Sequence, residues 1–310
     1  MRHFLRDDDL TPKEQHEVLD LALRLKQDRF AERPLAGPKT ALVMFDKTST
    51  RTRVSFAVGI SDLGGSALIV NPGEAQLGEK ESISDTAIIF SRMTELIVWR
   101  TGAHKNIELM AKHASVPVIN SLTDDFHPCQ VLADLLTVRE HKDELQGLTA
   151  AYVGDAANNM AHSYLLGFAT AGINLRLAGP EGYLPREDIL AKAEQIAEQT
   201  GSTITVSNDP REAVTGADIV ITDTWISMGQ EAEEAARLQH FNGYCVDEEL
   251  FGLAKDDAIF LHCLPAYRGF EVSAEVIDGP RSVVWDEAEN RVHAQKALMV
   301  WLLRQAKQSE

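Results

Sequence analysis

The chain has 310 residues, 44% hydrophobic and 25% charged, with 47 acids against 30 lysines and arginines and a net charge of −17. That length suits two ordinary domains, each with its own core, while the acidic surplus argues against nucleic-acid or anionic-membrane partners. No apolar run approaches a bilayer span, the first residues lack a signal-peptide segment, and the three cysteines form no C-x-x-C pair, so a cytoplasmic protein without disulfides or structural zinc is expected.

The first element is a helix over about 12–29: Thr11-Pro12-Lys13-Glu14 is a capping box with proline at the first helical position. Val18, Leu19, Leu21, Ala22 and Leu25 give it an apolar stripe. A strand at 41–45, a hydroxyl-rich turn, a helix to residue 63 and a Gly64-Gly65 stop follow. Then come a strand at 67–70, a polar loop at 71–80, a helix at 83–93, a strand at 96–99, a helix at 107–113 and a strand at 117–119. A helix opened by Pro128 runs to about 141, and Gln146-Gly147-Leu148 is the expected joint. The alternation restarts at 150–153, with strands at 175–178, 204–206, 219–222 and 258–261 and a final amphipathic helix over 287–304. Strand and helix in alternation predict an α/β chain of two doubly wound αβα domains with parallel sheets, 1–146 and 147–310, and an active site in the cleft between them. The last helix is expected to pack back on the first domain.

The most informative stretch is Ser49-Thr50-Arg51-Thr52-Arg53, between a strand and a helix. A helix start offers free backbone N–H groups and positive dipole, and the hydroxyls and planar guanidinium forks suit phosphate oxygens. Read alone, the turn also fits a capped surface helix. In so acidic a chain, positive charge gathered at one point carries more weight.

Arg100, Asp155, Asp223 and His262-Cys263 fall at or just past predicted strand ends. His127-Pro128-Cys129-Gln130 puts an imidazole and an amide at a helix start, where the positive end favours the neutral ring. Asp155-Ala156-Ala157-Asn158-Asn159 lacks the G-x-G-x-x-G fingerprint, so a dinucleotide is not expected; the asparagines fit capping or the holding of a carboxylate. Asp223, ahead of Ser227-Met228-Gly229, either pairs with a substrate ammonium or caps the next turn. His262 and Cys263, neighbours on a strand, point to opposite faces and are not a preformed dyad.

In this order the motifs resemble the transcarbamoylase family from end to end, within it the branch that uses ornithine. The carrying segments are 49–53, 127–130, Asp223 with 227–229, His262-Cys263-Leu264-Pro265, and Asp286-Glu287-Ala288-Glu289-Asn290-Arg291. The resemblance implies carbamoyl transfer from carbamoyl phosphate to the δ-amine of ornithine, without metal or organic cofactor. It implies that Ser49, Thr50, Arg51 and Thr52 hold phosphate, that Arg100 bridges phosphate and carbonyl, and that His127, Pro128, Cys129 and Gln130 bind the carbamoyl end. Arg291 and the Cys263-Leu264 backbone complete that site, with Arg100, His127, Cys263 and Arg291 as the catalytic set. Asp223 and Ser227 would hold the α-ammonium of ornithine, and Asn159 and Met228 its carboxylate. The family further implies a homotrimer, a loop around Gln76 and Lys80 that reaches a neighbour, and a cis Leu264-Pro265 bond. Acetylornithine or putrescine as acceptor, and a non-catalytic metabolite-binding homologue, remain alternatives. Ala57 and Tyr267 depart from the family pattern, where an acidic residue and a histidine are common.

Overall fold

The computed structural model describes residues 1–74, 81–226 and 231–308. The chain divides into two compact units, Met1–Leu136 with Glu289–Glu310, and Thr137–Ala288.

The first unit holds α1 (Pro12–Gln27), β1 (Thr40–Phe45), α2 (Arg51–Asp62), β2 (Ser66–Val70), α3 (Ile83–Ser91), β3 (Leu96–Arg100), α4 (His104–His113), β4 (Val118–Leu122) and the start of α5 (Pro128–Lys142). The capping box forms as expected: Thr11 Oγ1 accepts from Glu14 N, and Thr11 N donates to the Glu14 carboxylate at 2.9 Å. The four strands are parallel in the order β2-β1-β3-β4. β1 from Ala41 onward and the whole of β3 are buried, as strands covered on both faces must be. At the β4 edge, Phe4 adds a single parallel bridge: its N donates to Val118 O at 2.9 Å and its O accepts from Asn120 N at 2.8 Å.

The second unit holds β5 (Thr149–Val153), α6 (Asn159–Ala171), β6 (Asn174–Ala178), α7 (Glu187–Thr200), β7 (Ile204–Ser207), α8 (Pro210–Val214), β8 (Ile219–Thr222), α9 (Glu234–His240), α10 (Glu248–Phe251), β9 (Ile259–Leu261) and α11 (Ala274–Ile277). Its five parallel strands run β7-β6-β5-β8-β9. α6 is buried along nearly its whole length and ends at Gly172, whose φ of +76° is the left-handed turn that releases the chain into β6. α12 (Val284–Gln308) begins in the second unit and continues in the first from Glu289.

Several element ends differ from the sequence-based expectation. β4 runs on to Leu122 because Asn120 and Ser121, polar in type, are fully buried as strand residues. α4 starts at His104 rather than 107, α12 at Val284 rather than 287, and α1 stops at Gln27. Among the described residues no helix is long and apolar enough to cross a membrane.

Strand order decides where chemistry can sit. In each sheet the order reverses at one point, between β1 and β3 and between β5 and β8, and loops leaving the carboxyl ends of strands at such a point diverge and leave a crevice. Arg100 pairs in register with Phe45, and Thr222 with Val153, so the candidate residues lie at these two places.

Candidate active site

In the first unit, β1 delivers the 46–50 turn into α2. Thr50 stands at the cap position in a helical conformation without capping through its side chain, so its hydroxyl is not used on its own helix. The Asp46 N–H donates to the Arg100 carbonyl at 2.9 Å, which ties the turn to the end of β3. β4 leads to His127, the last residue before α5.

Arg291 draws these pieces together. It is buried, its Nη1 donates to Gln130 Oε1 at 2.7 Å, and its Nη2 donates to Thr52 Oγ1 at 2.8 Å. Gln130 in turn donates through Nε2 to Asp134 Oδ1 at 2.8 Å, one helical turn along α5, and Asp134 is fully buried. One arginine thus joins the starts of α2 and α5, two helix N-termini that both favour an anion. Beside Arg291, Lys26 of α1 donates to Asn290 Oδ1 at 2.8 Å.

Burial, then the charges of Arg291, Arg100 and Arg51, pull the proton affinity of His127 well below the usual histidine range. Desolvation leads, and the three guanidinium charges act in the same direction. The ring is neutral near pH 7 and offers one N–H to a polar partner without adding charge. The Cys129 thiol points inward: it donates to Asn120 O at 3.3 Å, and burial pushes its pKa up to about 12. Its thiol is unavailable to an anion, which leaves a role only for its backbone.

In the second unit, Asp155, Asp223 and His262 follow the adjacent strands β5, β8 and β9. Asp223 is buried, and its Oδ1 accepts from Thr224 N at 2.8 Å and from Cys263 Sγ at 3.2 Å. Its Oδ2 accepts from Asn158 Nδ2 at 3.1 Å. Burial raises its pKa, opposed by His262 and by the bonds from Cys263 and Thr224 N. The alternative of a turn-capping aspartate is therefore present, in the bond to Thr224 N, but takes only one of three contacts.

His262 and Cys263 diverge, as alternation along a strand requires. His262 Nδ1 accepts from Leu264 N at 2.9 Å, so Nε2 carries the ring proton and donates to Glu271 Oε1 at 3.2 Å, with both side chains fully buried. Glu271 also accepts from Tyr267 N at 2.6 Å, and Glu287 accepts from His262 N at 2.9 Å. These contacts hold Leu264 at φ +56°, a left-handed value rare for leucine, ahead of a cis bond to Pro265. Asp223, His262 and Cys263 bring possible ligand atoms within 4.8 Å of one another. Both ring nitrogens of His262 are already bonded, which disfavours its use as a metal ligand.

Behind Asp223, Asp155 and Arg237 form a buried ion pair. Arg237 also donates through Nε to Trp225 O at 2.5 Å and lies over the Tyr183 and Phe241 rings, so the segments on either side of residues 227–230 share one anchor.

Gln76, Lys80, Ser227, Met228 and Gly229 lie outside the described residues. Ser49, Thr50 and Arg51 sit at the α2 start, and Asn159 is the first residue of α6. Of the two departures from the family pattern, Ala57 is half-buried within α2, and Tyr267 is exposed and stacked on Phe270. Sequence reasoning missed Asp134, Tyr152, Glu271 and the work of Glu287. Asp134 was findable, since it lies four residues after Gln130 on one helix face. Glu271 was not, because its approach to His262 depends on the irregular loop after β9.

The carbamoyl-phosphate-binding domain model of the aspartate/ornithine carbamoyltransferases matches residues 2–140, and their aspartate/ornithine-binding domain model matches 146–302. An ornithine carbamoyltransferase of Clavibacter sepedonicus is 63% identical over 305 residues, covering 98% of this chain and 99% of that protein. One from Bifidobacterium longum subsp. infantis is 57% identical over 313 residues, covering 100% and 98%. Among solved structures, the ornithine carbamoyltransferase of Pyrococcus furiosus superposes with a TM-score of 0.94 at 45% identity, covering 98% of this chain and 97% of that one. The anabolic enzyme of Campylobacter jejuni subsp. jejuni gives 0.93 at 37%, covering 98% and 100%. With both domain models matched in order and relatives this similar over their full length, the chain belongs to the ornithine carbamoyltransferase family.

Proposed function

We propose that the protein transfers the carbamoyl group of carbamoyl phosphate to the δ-amine of L-ornithine, giving L-citrulline and phosphate. The observation that carries this reading is the division of labour between the units. One gathers Arg51, Arg100, Arg291 and a neutral His127 at two helix starts, and the other presents a buried carboxylate and a thiol. An acid anhydride of phosphate suits the first and a diamino acid the second.

Ser49, Thr50, Arg51 and Thr52 hold the phosphate. Arg100 spans phosphate and carbonyl oxygen, and His127 and Arg291 add donors to that oxygen. Gln130 and the Leu264 backbone orient the carbamoyl nitrogen. Asp223, with Ser227, pairs with the α-ammonium of ornithine, and Asn159 with Met228 holds its carboxylate.

The neutral δ-amine attacks the carbonyl carbon, and a tetrahedral intermediate forms with its negative charge on oxygen. The carbon–oxygen bond to phosphate then breaks, phosphate leaves with the bonding pair, and it takes up the proton that the nitrogen gives up. Donors preset around the oxyanion are worth about 3 kcal/mol each in comparable sites, and the rest comes from positioning. Cys263, hydrogen-bonded to Asp223, orients the amine and assists its deprotonation; it forms no covalent bond. The substrate carries its own leaving group, so the mechanism calls for no metal or cofactor.

A homotrimer in the cytoplasm accompanies this reading. The support for association is that five large apolar side chains of the first unit, Val54, Leu68, Ile88, Ile89 and Met93, are exposed. Purified protein given carbamoyl phosphate with ornithine, acetylornithine, putrescine or aspartate tests the whole proposal. Citrulline from ornithine, at a kcat/KM far above the others, is expected; turnover of another amine, or of none, overturns it.

A further inference from the structure

Asn158 has both ends of its side chain engaged. Its Oδ1 accepts from Ala161 N at 2.8 Å and caps α6. That bond decides how the amide is turned, so Nδ2 points away from the helix. There it donates to Asp223 Oδ2 and to the Tyr152 phenol oxygen, each at 3.1 Å. Tyr152 is fully buried, and its hydroxyl donates onward to Asp155 O at 3.1 Å, with Asn158 Oδ1 also within 3.3 Å. Thr224 N and Cys263 Sγ both serve Asp223 Oδ1, so among the described residues Asn158 supplies the donor to Oδ2.

A carboxylate buried this deeply stays ionised only if its oxygens find donors, and it binds an ammonium well only if it is held in one rotamer. We propose that Asn158 is a positioning residue for the amine acceptor: braced by Tyr152 and by the α6 cap, it fixes and supports the Asp223 carboxylate. The inference rests on Asp223 being the ammonium site of the proposed reaction. Asn158 therefore faces the protein, bonded to Asp223, Tyr152 and the α6 backbone.

Two substitutions distinguish this role from capping. Serine and aspartate both cap helices well, so Asn158→Ser and Asn158→Asp keep α6. Serine is too short to reach Asp223, and aspartate places a second carboxylate against it. Both variants should unfold within ~2 °C of the wild type and keep the wild-type KM for carbamoyl phosphate. Loss of a hydrogen bond to a charged group corresponds to roughly tenfold to hundredfold. The KM for ornithine should rise by that amount in Asn158→Ser and further in Asn158→Asp, with kcat changing less. Wild-type KM for ornithine in either variant overturns the proposal, as does a matched loss for both substrates or a lowered unfolding midpoint in the serine variant. The wild-type protein assayed alongside separates the two failures, because absence of citrulline there condemns the function and not the role of Asn158.

Discussion

Arg291 and Gln130, 161 residues apart in sequence, are joined by a 2.7 Å hydrogen bond from guanidinium to amide oxygen. The second arm of the same guanidinium reaches Thr52, so the fork spans two helix starts in a way that a single ammonium does not reproduce. Arg291→Lys should therefore behave nearly as badly as Arg291→Ala. A fall in kcat/KM for carbamoyl phosphate of about a hundredfold is expected, in line with loss of one preset oxyanion donor. Steady-state kinetics check it, and near-normal activity of the lysine variant would show that charge alone suffices.

In the proposed reaction Arg51 serves the phosphate rather than the carbonyl. Arg51→Ala should abolish measurable binding of carbamoyl phosphate while leaving the unfolding midpoint unchanged. Titration calorimetry with carbamoyl phosphate or inorganic phosphate reads this directly, and a small effect moves the phosphate site elsewhere.

Cys263 donates to Asp223, and a serine hydroxyl is a far weaker acid than a thiol. Cys263→Ser should lower kcat at least tenfold with little change in the KM for carbamoyl phosphate. Turnover near that of the wild type would remove the thiol from the mechanism.

Burial and three arginines hold His127 neutral, so its ring does not titrate in the working pH range. His127→Asn should lower kcat by about a hundredfold, the cost of a lost oxyanion donor, at every pH. The pH profile itself should keep its shape, because the titrating group is then the substrate amine. An acid limb that disappears in the variant would show that the histidine is ionising after all.

A different histidine contributes to the acid dependence of stability. His3 Nδ1 accepts from Val118 N at 3.1 Å, and burial lowers its pKa to about 4. The unfolded chain takes up a proton near pH 6.5, where the folded one does not. Stability therefore falls as pH drops from about 6.5 to about 4 and gains no further penalty from this residue below that range. Urea unfolding of His3→Asn across these pH values should show a shallower decline than the wild type.

Much of the fold was legible because its signals are local. The capping box at Thr11, the glycine stop at Gly64 and the apolar runs of β1 and β8 each state their element within a few residues. The carboxyl ends of strands were legible too, which is why Arg100, Asp223 and Cys263 were placed at or just past them. Tertiary pairings were not. Nothing near Arg291 announces Gln130 or Thr52, and Glu271 meets His262 only once the loop after β9 has folded back. The inward turn of the Cys129 thiol depends on the carbonyl of Asn120, a strand residue whose polar type concealed its burial.

The bridge made by Phe4 has a practical consequence. A parallel sheet ending in an uncovered strand invites other chains to add to it, and here the first few residues occupy that position along β4. Trimming them for convenience would leave adhesive backbone on show, and such a shortened protein should precipitate or associate at concentrations the full chain tolerates. A purification label belongs ahead of Met1, which is half exposed, as an addition and never as a replacement.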